Sequence, residues 1–181
     1  PVTHFTCIGN TKEDIKEKLQ TYLDHGIDHM LALRGYLPFG WTGTNGDLHY
    51  ATELVKFVRK EFGDKFTIAV AGSPEGHIQC RSLEADIAFL KQKQDNGADY
   101  IMTQLCWDMD QFRYWLDAIR AAGIWLPVDV GIMPILDQAS TINMALSRNG
   151  CVMPRALCEI ISKNWIFPNP FEKEPFDADV A

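Results

Sequence analysis

Residues 66–77 read FTIAVAGSPEGH, in which the strand-like apolar run Phe66–Ala71 leads directly into the polar, glycine-rich segment Gly72–His77. Other apolar runs end in the same way, at Met30–Leu33 before Arg34-Gly35, Ile101–Met102 before Thr103-Gln104, and Val128–Val130 before Gly131–Pro134. In a parallel sheet wrapped by helices, the carboxyl ends of the strands lie on one face, where α/β barrels carry their chemistry. These polar groups are therefore expected to form one shared site.

A helix, a glycine and a strand recur along the chain. The glycines that close the predicted helices, Gly26, Gly63, Gly97 and Gly123, are 37, 34 and 26 residues apart, which is the spacing of successive βα units. Apolar periodicity predicts strands at Val2–Ile8, His29–Leu33, Phe66–Ala71, Tyr100–Leu105 and Val128–Ile132. It predicts helices from Thr11 to Gly26 and at about His49–Phe62, Ser82–Asn96, Asp108–Ala122, Leu136–Leu146 and Pro154–Ser162. The proline-containing tail, residues 164–181, is expected to be irregular.

This pattern predicts an α/β fold with five parallel strands. A doubly wound open sheet could hold five strands, whereas a closed (β/α)8 barrel needs eight strands and typically about 250 residues. With 181 residues, the chain would in the second case be an incomplete barrel. Because it starts at Pro1 without a methionine and ends in an acidic stretch, both ends are expected to be cuts in a longer protein.

The composition suits one soluble globular domain and argues against several classes of partner. Hydrophobic residues make up 46% of the chain, and the net charge is −7. Lysine and arginine form no cluster, so nucleic acid is not an expected partner. The five cysteines include no C-x-x-C pair, which argues against a disulfide framework or structural zinc and favours the cytoplasm. No apolar run approaches the roughly 20 residues of a membrane span, and no signal peptide is visible.

Several polar side chains near the predicted strand ends could carry chemistry, although each also has a structural interpretation. The Arg34 guanidinium could bind phosphate or carboxylate through paired hydrogen bonds, or it could pair with a neighbouring carboxylate at the sheet rim. His77 lies in a loop shaped by glycine and proline, where histidines are often exposed and inert. Gln104 ends a strand, either as a surface amide or as an amide that recognises a heteroaromatic ring.

Other candidates carry weaker signals. A lone strand histidine such as His4 is more often a satisfied core residue, and Asp86 and Lys93, seven residues apart, more often form a solvated helix face. The long loop Tyr36–Asp47 is functional or disordered, but it lacks any nucleotide-binding fingerprint. Neither a cluster with metal-ligand spacing nor a serine nucleophile motif is present in the sequence.

An ordered set of runs resembles methylenetetrahydrofolate reductase from about Thr3 to about Pro134, whereas the segment from Cys151 onward resembles it only loosely. The runs are Ala32–Gly35 (ALRG), Tyr50-Ala51, Val70–His77 (VAGSPEGH), Gly97–Gln104 (GADYIMTQ), Ala122–Ile124 (AGI) and Gly131–Pro134 (GIMP). The resemblance implies a (β/α)8 TIM-type barrel with FAD at the carboxyl ends of the strands. NADH or NADPH would reduce the flavin, which passes a hydride to 5,10-methylenetetrahydrofolate to give 5-methyltetrahydrofolate in one-carbon metabolism.

On this alignment, residues 1–181 are a catalytic-domain portion that holds roughly the third to the seventh strand of the eight. The barrel would then be completed by missing segments or by homo-oligomer formation, because exposed sheet edges invite pairing.

The resemblance also assigns residues to a cofactor site and a substrate site. The positions that match FAD contacts are His4, Arg34, Gly35, Tyr36, Tyr50, Ala71, His77, Asp86 and Lys93. Gln104 matches the amide that contacts folate. Tyr36 stands where the family usually has Asp, and Ser73 and Phe89 also depart from the family pattern. The family's catalytic acid, a Glu on the first strand, has no counterpart in this chain, so no catalytic acid is named.

Two other readings stay open at this point. One is a relative with altered flavin use that transfers hydride directly from NADH, which the substitutions at Tyr36, Ser73 and Phe89 favour. The other is a non-catalytic partial barrel that binds folate or flavin.

Overall fold

The computed structural model describes residues 1–146 and 151–163. Within them the chain forms β1 (Thr3–Thr6), α1 (Lys12–Asp24), β2 (His29–Leu33), α2 (Ala51–Phe62), β3 (Thr67–Gly72), α3 (Leu83–Asp95), β4 (Tyr100–Thr103), α4 (Met109–Ala121), β5 (Val128–Asp129), α5 (Gln138–Leu146) and α6 (Arg155–Lys163). Each element that periodicity predicts in these ranges is present, with shifted ends. The predicted irregular tail, residues 164–181, lies outside the described residues.

The five strands form one parallel sheet in the order β1-β2-β3-β4-β5. Because βαβ crossovers are right-handed, an order that never reverses places the connecting helices on one face of the sheet. The core agrees, since Met30, Ile68 and Ile101 pack with helix residues such as Leu54 and Trp115. A doubly wound sheet reverses its strand order and carries helices on both faces. The prediction of an α/β fold is confirmed, and the arrangement is that of a partial barrel.

The face opposite the helices, here called the inner face, is defined by strand register. Residues paired across parallel strands point the same way. Alternation along each strand gives the inner face these residues: His4, Thr6, His29, Leu31, Leu33, Thr67, Ala69, Ala71, Tyr100, Met102 and Asp129. Leu31 and Ala69 are buried, yet neither belongs to the core that the helices cover. The inner face is therefore a second packing surface, and polar groups reach it only near the strand ends.

Three strands end earlier than the sequence predicts. β1 ends at Thr6 rather than Ile8, and just beyond the ends of β4 and β5 side chains accept backbone hydrogen bonds. β4 ends at Thr103, after which the Gln104 side-chain oxygen accepts a hydrogen bond from the Leu105 N–H at 2.8 Å. β5 ends at Asp129 rather than Ile132, and the Gly131 N–H donates to Thr103 Oγ1 at 2.9 Å. All three departures occur at the carboxyl ends of the strands, where the site is expected.

None of the helices formed by residues 1–146 and 151–163 is both long enough and apolar enough to cross a bilayer.

Candidate functional site

A chain of hydrogen bonds joins the segments that follow β2 and β3. Arg34 Nη2 donates to Gln79 Oε1 at 2.7 Å, and the Gln79 N–H donates to His77 Nδ1 at 3.2 Å. The His77 N–H in turn donates to Asp86 Oδ2, near the start of α3, at 3.0 Å. We call these four residues together with Lys93 and Ala71 the carboxyl-edge network. It brings together side chains that lie far apart in sequence.

Lys93 completes the network by reaching from α3 to the end of β3. Its Nζ donates to the Ala71 carbonyl oxygen at 3.0 Å. Burial lowers the pKa of Lys93, and the nearby charge of Asp86 partly opposes that shift. The interpretation of Asp86 and Lys93 as a solvated helix face is therefore wrong, because both side chains hold backbone groups near β3.

Gly35 sits in a backbone conformation that favours glycine and lies against β1. Its φ is +92°, and a Cβ there would come within 2.5 Å of Ile8 Cγ2 and 3.2 Å of Thr6 Cβ. The Gly35 carbonyl oxygen accepts a hydrogen bond from Arg34 Nε at 3.0 Å. The glycine thus lets the chain turn tightly after β2 and holds the guanidinium in place.

Arg34 keeps hydrogen-bonding capacity for a ligand. Of the five N–H groups of a guanidinium, one donates to Gly35 and one to Gln79. Within the described residues it forms no ion pair with a carboxylate. Arg34 is thus a cation at the carboxyl end of β2, in a chain of net charge −7.

Besides Gly35 and Gln104, three predicted site residues lie outside the carboxyl-edge network. Tyr36 follows Gly35 with a relative exposure of 70%, and Tyr50 precedes α2 with 60%. His4 is exposed on the inner face, so it is not a satisfied core histidine. These residues border open space in the described part of the chain.

The long loop Tyr36–Asp47 is anchored to the β1–α1 connection. The Gly9 N–H donates to the Thr44 carbonyl oxygen at 2.8 Å, and the Asp47 N–H donates to the Asn10 carbonyl oxygen at 3.1 Å. Phe39 projects from the same loop fully exposed. Backbone pairing therefore fixes the base of the loop and leaves aromatic side chains at its surface.

A cavity of about 600 Å³ lies beside the network, between the β3–α3 loop and the segment before α6. Glu75 and His77 line it together with Cys151 and Val152. Burial raises the pKa of Glu75, whose carboxylate accepts a hydrogen bond from the Val152 N–H at 2.6 Å. Glu75 therefore ties residues 151–154 to the edge of the sheet.

Gln104 occupies the neighbouring position at the end of β4. Its N–H donates to the Gly72 carbonyl oxygen at 2.8 Å, so the residue continues the ladder to β3. Its side-chain oxygen is the acceptor for Leu105 already described. The amide is thus oriented by its own backbone, one strand away from Ala71.

Two polar residues of this edge escaped the sequence analysis. Gln79 bridges Arg34 to His77, but nothing in the sequence distinguishes it from a surface amide. Asp129 lies within the run Val128–Val130, whose neighbours are apolar. Its signal is alternation: Val128 pairs with buried Ile101, so the next residue, Asp129, lies on the inner face. No cluster of metal-ligating side chains exists among residues 1–146 and 151–163.

The family model for methylenetetrahydrofolate reductase matches residues 1–166. The chain belongs to the methylenetetrahydrofolate reductase family. The resemblance found in the sequence is thereby confirmed.

Among the relatives of this methylenetetrahydrofolate reductase family member, methylenetetrahydrofolate reductase 2 of Saccharomyces cerevisiae is 38% identical over 147 residues, covering 78% of this chain and 24% of that protein. Methylenetetrahydrofolate reductase 1 of Schizosaccharomyces pombe is 40% identical over 144 residues, with the same coverage of 78% and 24%. The 5,10-methylenetetrahydrofolate reductase of Pectobacterium carotovorum is 40% identical over 132 residues, covering 73% of this chain and 43% of that protein. The chain therefore spans about a quarter of the length of its yeast relatives.

A solved structure supports the fold of this family member. It is a Clostridium thermocellum protein described as binding two copies of 5-methyl-5,6,7,8-tetrahydrofolic acid, with a TM-score of 0.51 and 14% identity. The match covers 90% of this chain and 74% of that one. At this identity the likeness concerns the fold alone.

Proposed function

We propose that this chain forms part of the active site of a FAD-dependent enzyme that reduces 5,10-methylenetetrahydrofolate to 5-methyltetrahydrofolate with NADH or NADPH. The observation that carries the proposal is the carboxyl-edge network, because it joins five of the residues matched to FAD contacts: Arg34, Ala71, His77, Asp86 and Lys93. Membership of the methylenetetrahydrofolate reductase family supports the same activity.

The chemistry of the edge suits FAD. Arg34 and Lys93 supply positive charge for a pyrophosphate, whereas Asp86 supplies an acceptor suited to a ribose hydroxyl. At Gly35, the lack of a Cβ lets the turn after β2 pack against Ile8 and Thr6, and the Gly35 carbonyl oxygen holds the Arg34 guanidinium at the edge. When bound, FAD supplies a ring that accepts a hydride from the nicotinamide cofactor and passes it on.

In this proposal the protein residues bind and orient. Arg34 donates its remaining N–H groups to phosphate oxygens, and the bond from Lys93 to Ala71 keeps a cation beside the end of β3. Gln104 pairs its amide with the edge of the pterin ring. Tyr36 and Tyr50 offer ring contacts at the rim of the site. The protonation step has no assigned acid in this chain.

The cellular setting belongs to the proposal as well. All five cysteines are free thiols, which supports a reducing compartment such as the cytoplasm. In the described sheet β1 and β5 each pair on one side, so further strands or a second copy of the chain would add there.

A second candidate function is direct hydride transfer from NADH to the folate with altered flavin use. Tyr36 and Phe89 favour this candidate, because each is an aromatic side chain where the family resemblance expects a polar group. Their relative exposures are 70% and 48%.

The deciding experiment is the visible spectrum of the purified full-length protein, with and without NADH and methylenetetrahydrofolate. A band near 450 nm (roughly where oxidised flavins absorb) that bleaches with NADH and returns with the folate is the expected result. A colourless protein that still oxidises NADH with the folate would favour direct transfer. A colourless and inactive protein would contradict both and leave a binding role.

The charge of Lys93 predicts a pH dependence of FAD affinity. Because burial lowers the Lys93 pKa below its usual 10.5, the ammonium loses its proton at a lower pH than an exposed lysine. FAD affinity should therefore be constant below the lowered pKa and fall about tenfold as the pH rises through it. The measurement is flavin fluorescence titration across pH. Lys93→Arg should flatten the profile, since arginine stays charged; identical profiles for both proteins would contradict the prediction.

A further inference from the structure

Asp129 is the only acidic residue in the five described strands and ends β5 at the carboxyl edge. Its register partner is Met102, while the preceding residue Val128 pairs with Ile101 and packs onto the helix-covered core. Alternation therefore turns Asp129 to the inner face, where it is exposed. Within the described residues, its carboxylate forms no hydrogen bond or ion pair.

Asp129 lies next to the amide matched to folate contact. Gln104 follows Met102 by two residues, so strand geometry places the Cα atoms of Asp129 and Gln104 about 8 Å apart on the same face. Beyond Asp129 the chain stays close to β4, because a Cβ on Gly131 would lie 2.6 Å from the Thr103 carbonyl oxygen. The phenol of Tyr100 is on the same face, and its pKa is raised mainly by burial and in addition by the nearby charge of Asp129. An amide and a carboxylate thus flank one patch of the inner face.

We propose that Asp129 is a substrate-binding residue that accepts paired hydrogen bonds from the 2-amino group and the N3–H of the pterin ring. These two donors lie side by side, as they do in a guanidinium, and match the two oxygens of a carboxylate. Gln104 would bind another part of the same ring edge. The assignment rests on the proposed function, since it needs a reduced folate as the ligand.

The alternative for Asp129 is a solvated charge with no ligand. Two features argue against it. The side chains nearest to it in its register layer on the inner face, Met102 and Ala71, are apolar, and a carboxylate beside apolar side chains needs hydrogen-bond donors when water is displaced. Asp129 also lies next to the Gln104 amide. A carboxylate and an amide together offer hydrogen-bonding groups suited to the flat edge of a pterin ring.

The test compares Asp129→Asn with the unchanged protein for binding of 5-methyltetrahydrofolate by isothermal titration calorimetry. The expected result is a loss of affinity of about 10- to 100-fold, because charge-assisted bonds become neutral ones. Asp117→Asn on α4, an exposed carboxylate remote from the inner face, is the matched control and should bind normally. Circular dichroism checks that each variant is folded.

A second measurement does not depend on any variant. The unchanged protein should bind a tetrahydrofolate analogue that lacks the 2-amino group at least about tenfold more weakly than the parent, and Asp129→Asn should discriminate less between them. Equal binding of parent and analogue by the unchanged protein would overturn the assignment. So would normal folate binding by a folded Asp129→Asn protein, and in both cases the proposed function would stand. Failure of the unchanged protein to bind the folate at all would overturn both proposals.

Discussion

Arg34→Met should lower FAD affinity about 10- to 100-fold, because charge-assisted hydrogen bonds are each worth about 1.5–3 kcal/mol. The substitution removes the guanidinium that Gly35 and Gln79 hold at the end of β2. Methionine keeps much of the length of the side chain, so the main loss is charge and N–H donors. The dissociation constant is read from quenching of flavin fluorescence as apoprotein is added.

Two further variants sharpen this prediction. Arg34→Lys should recover only part of the affinity, since an ammonium restores charge but not the planar pair of donors. Arg113→Met removes an arginine whose exposed side chain pairs with Asp110 on α4, so it should bind FAD normally. If Arg34→Met and Arg113→Met bound FAD equally well, Arg34 would be a structural residue of the sheet rim.

Gly35→Ala should destabilise the protein by about 2–4 kcal/mol, combining the strain of a side chain at positive φ with overpacking against β1. The added Cβ would meet Ile8 Cγ2 at 2.5 Å, so either the segment that follows β1 or the turn after β2 must shift. Because the Gly35 carbonyl oxygen anchors Arg34, such a shift should also weaken FAD binding. Urea unfolding followed by circular dichroism gives the free energy, and the flavin titration gives the second readout.

Gly40→Ala is the matched control for Gly35→Ala. Gly40 has a similar φ of +84°, but a Cβ there meets nothing within 4 Å. It should cost only the backbone strain, about 1 kcal/mol. Equal destabilisation by both substitutions would show that contact with β1 contributes nothing, and that the backbone conformation alone requires glycine at position 35.

Helices were predictable because capping and periodicity are local signals. Thr11 and Asp14 form the reciprocal hydrogen bonds of a capping box before α1, and both residues are readable from the sequence. The ends of β4 and β5 were placed too late, since they depend on Gln104 and Thr103 accepting backbone hydrogen bonds through their side chains. Apolar residues recur beyond those points, at Leu105 and Ile132, so periodicity carries no signal for the strand ends.

Most residues of the carboxyl-edge network could be singled out from the sequence, but their connections could not. Arg34, His77 and Gln104 stand out because they follow apolar runs, and the family resemblance adds Asp86 and Lys93. The bridge through Gln79 joins residues 45 positions apart and leaves no mark in the sequence. Asp129 has a weak signal in the alternation of β5, which only the register with β4 makes readable.

The sequence by itself determined the repeating helix-glycine-strand units, the position of polar groups after the strands, and the family. These depend on contacts between residues near in sequence and on motifs whose order along the chain is enough. The tertiary structure alone decided between a doubly wound sheet and a partial barrel, because strand order is set by pairing between distant segments. It also decided which polar groups converge, since Lys93 reaches Ala71 and Arg34 reaches Gln79 only when helix and strands are packed together.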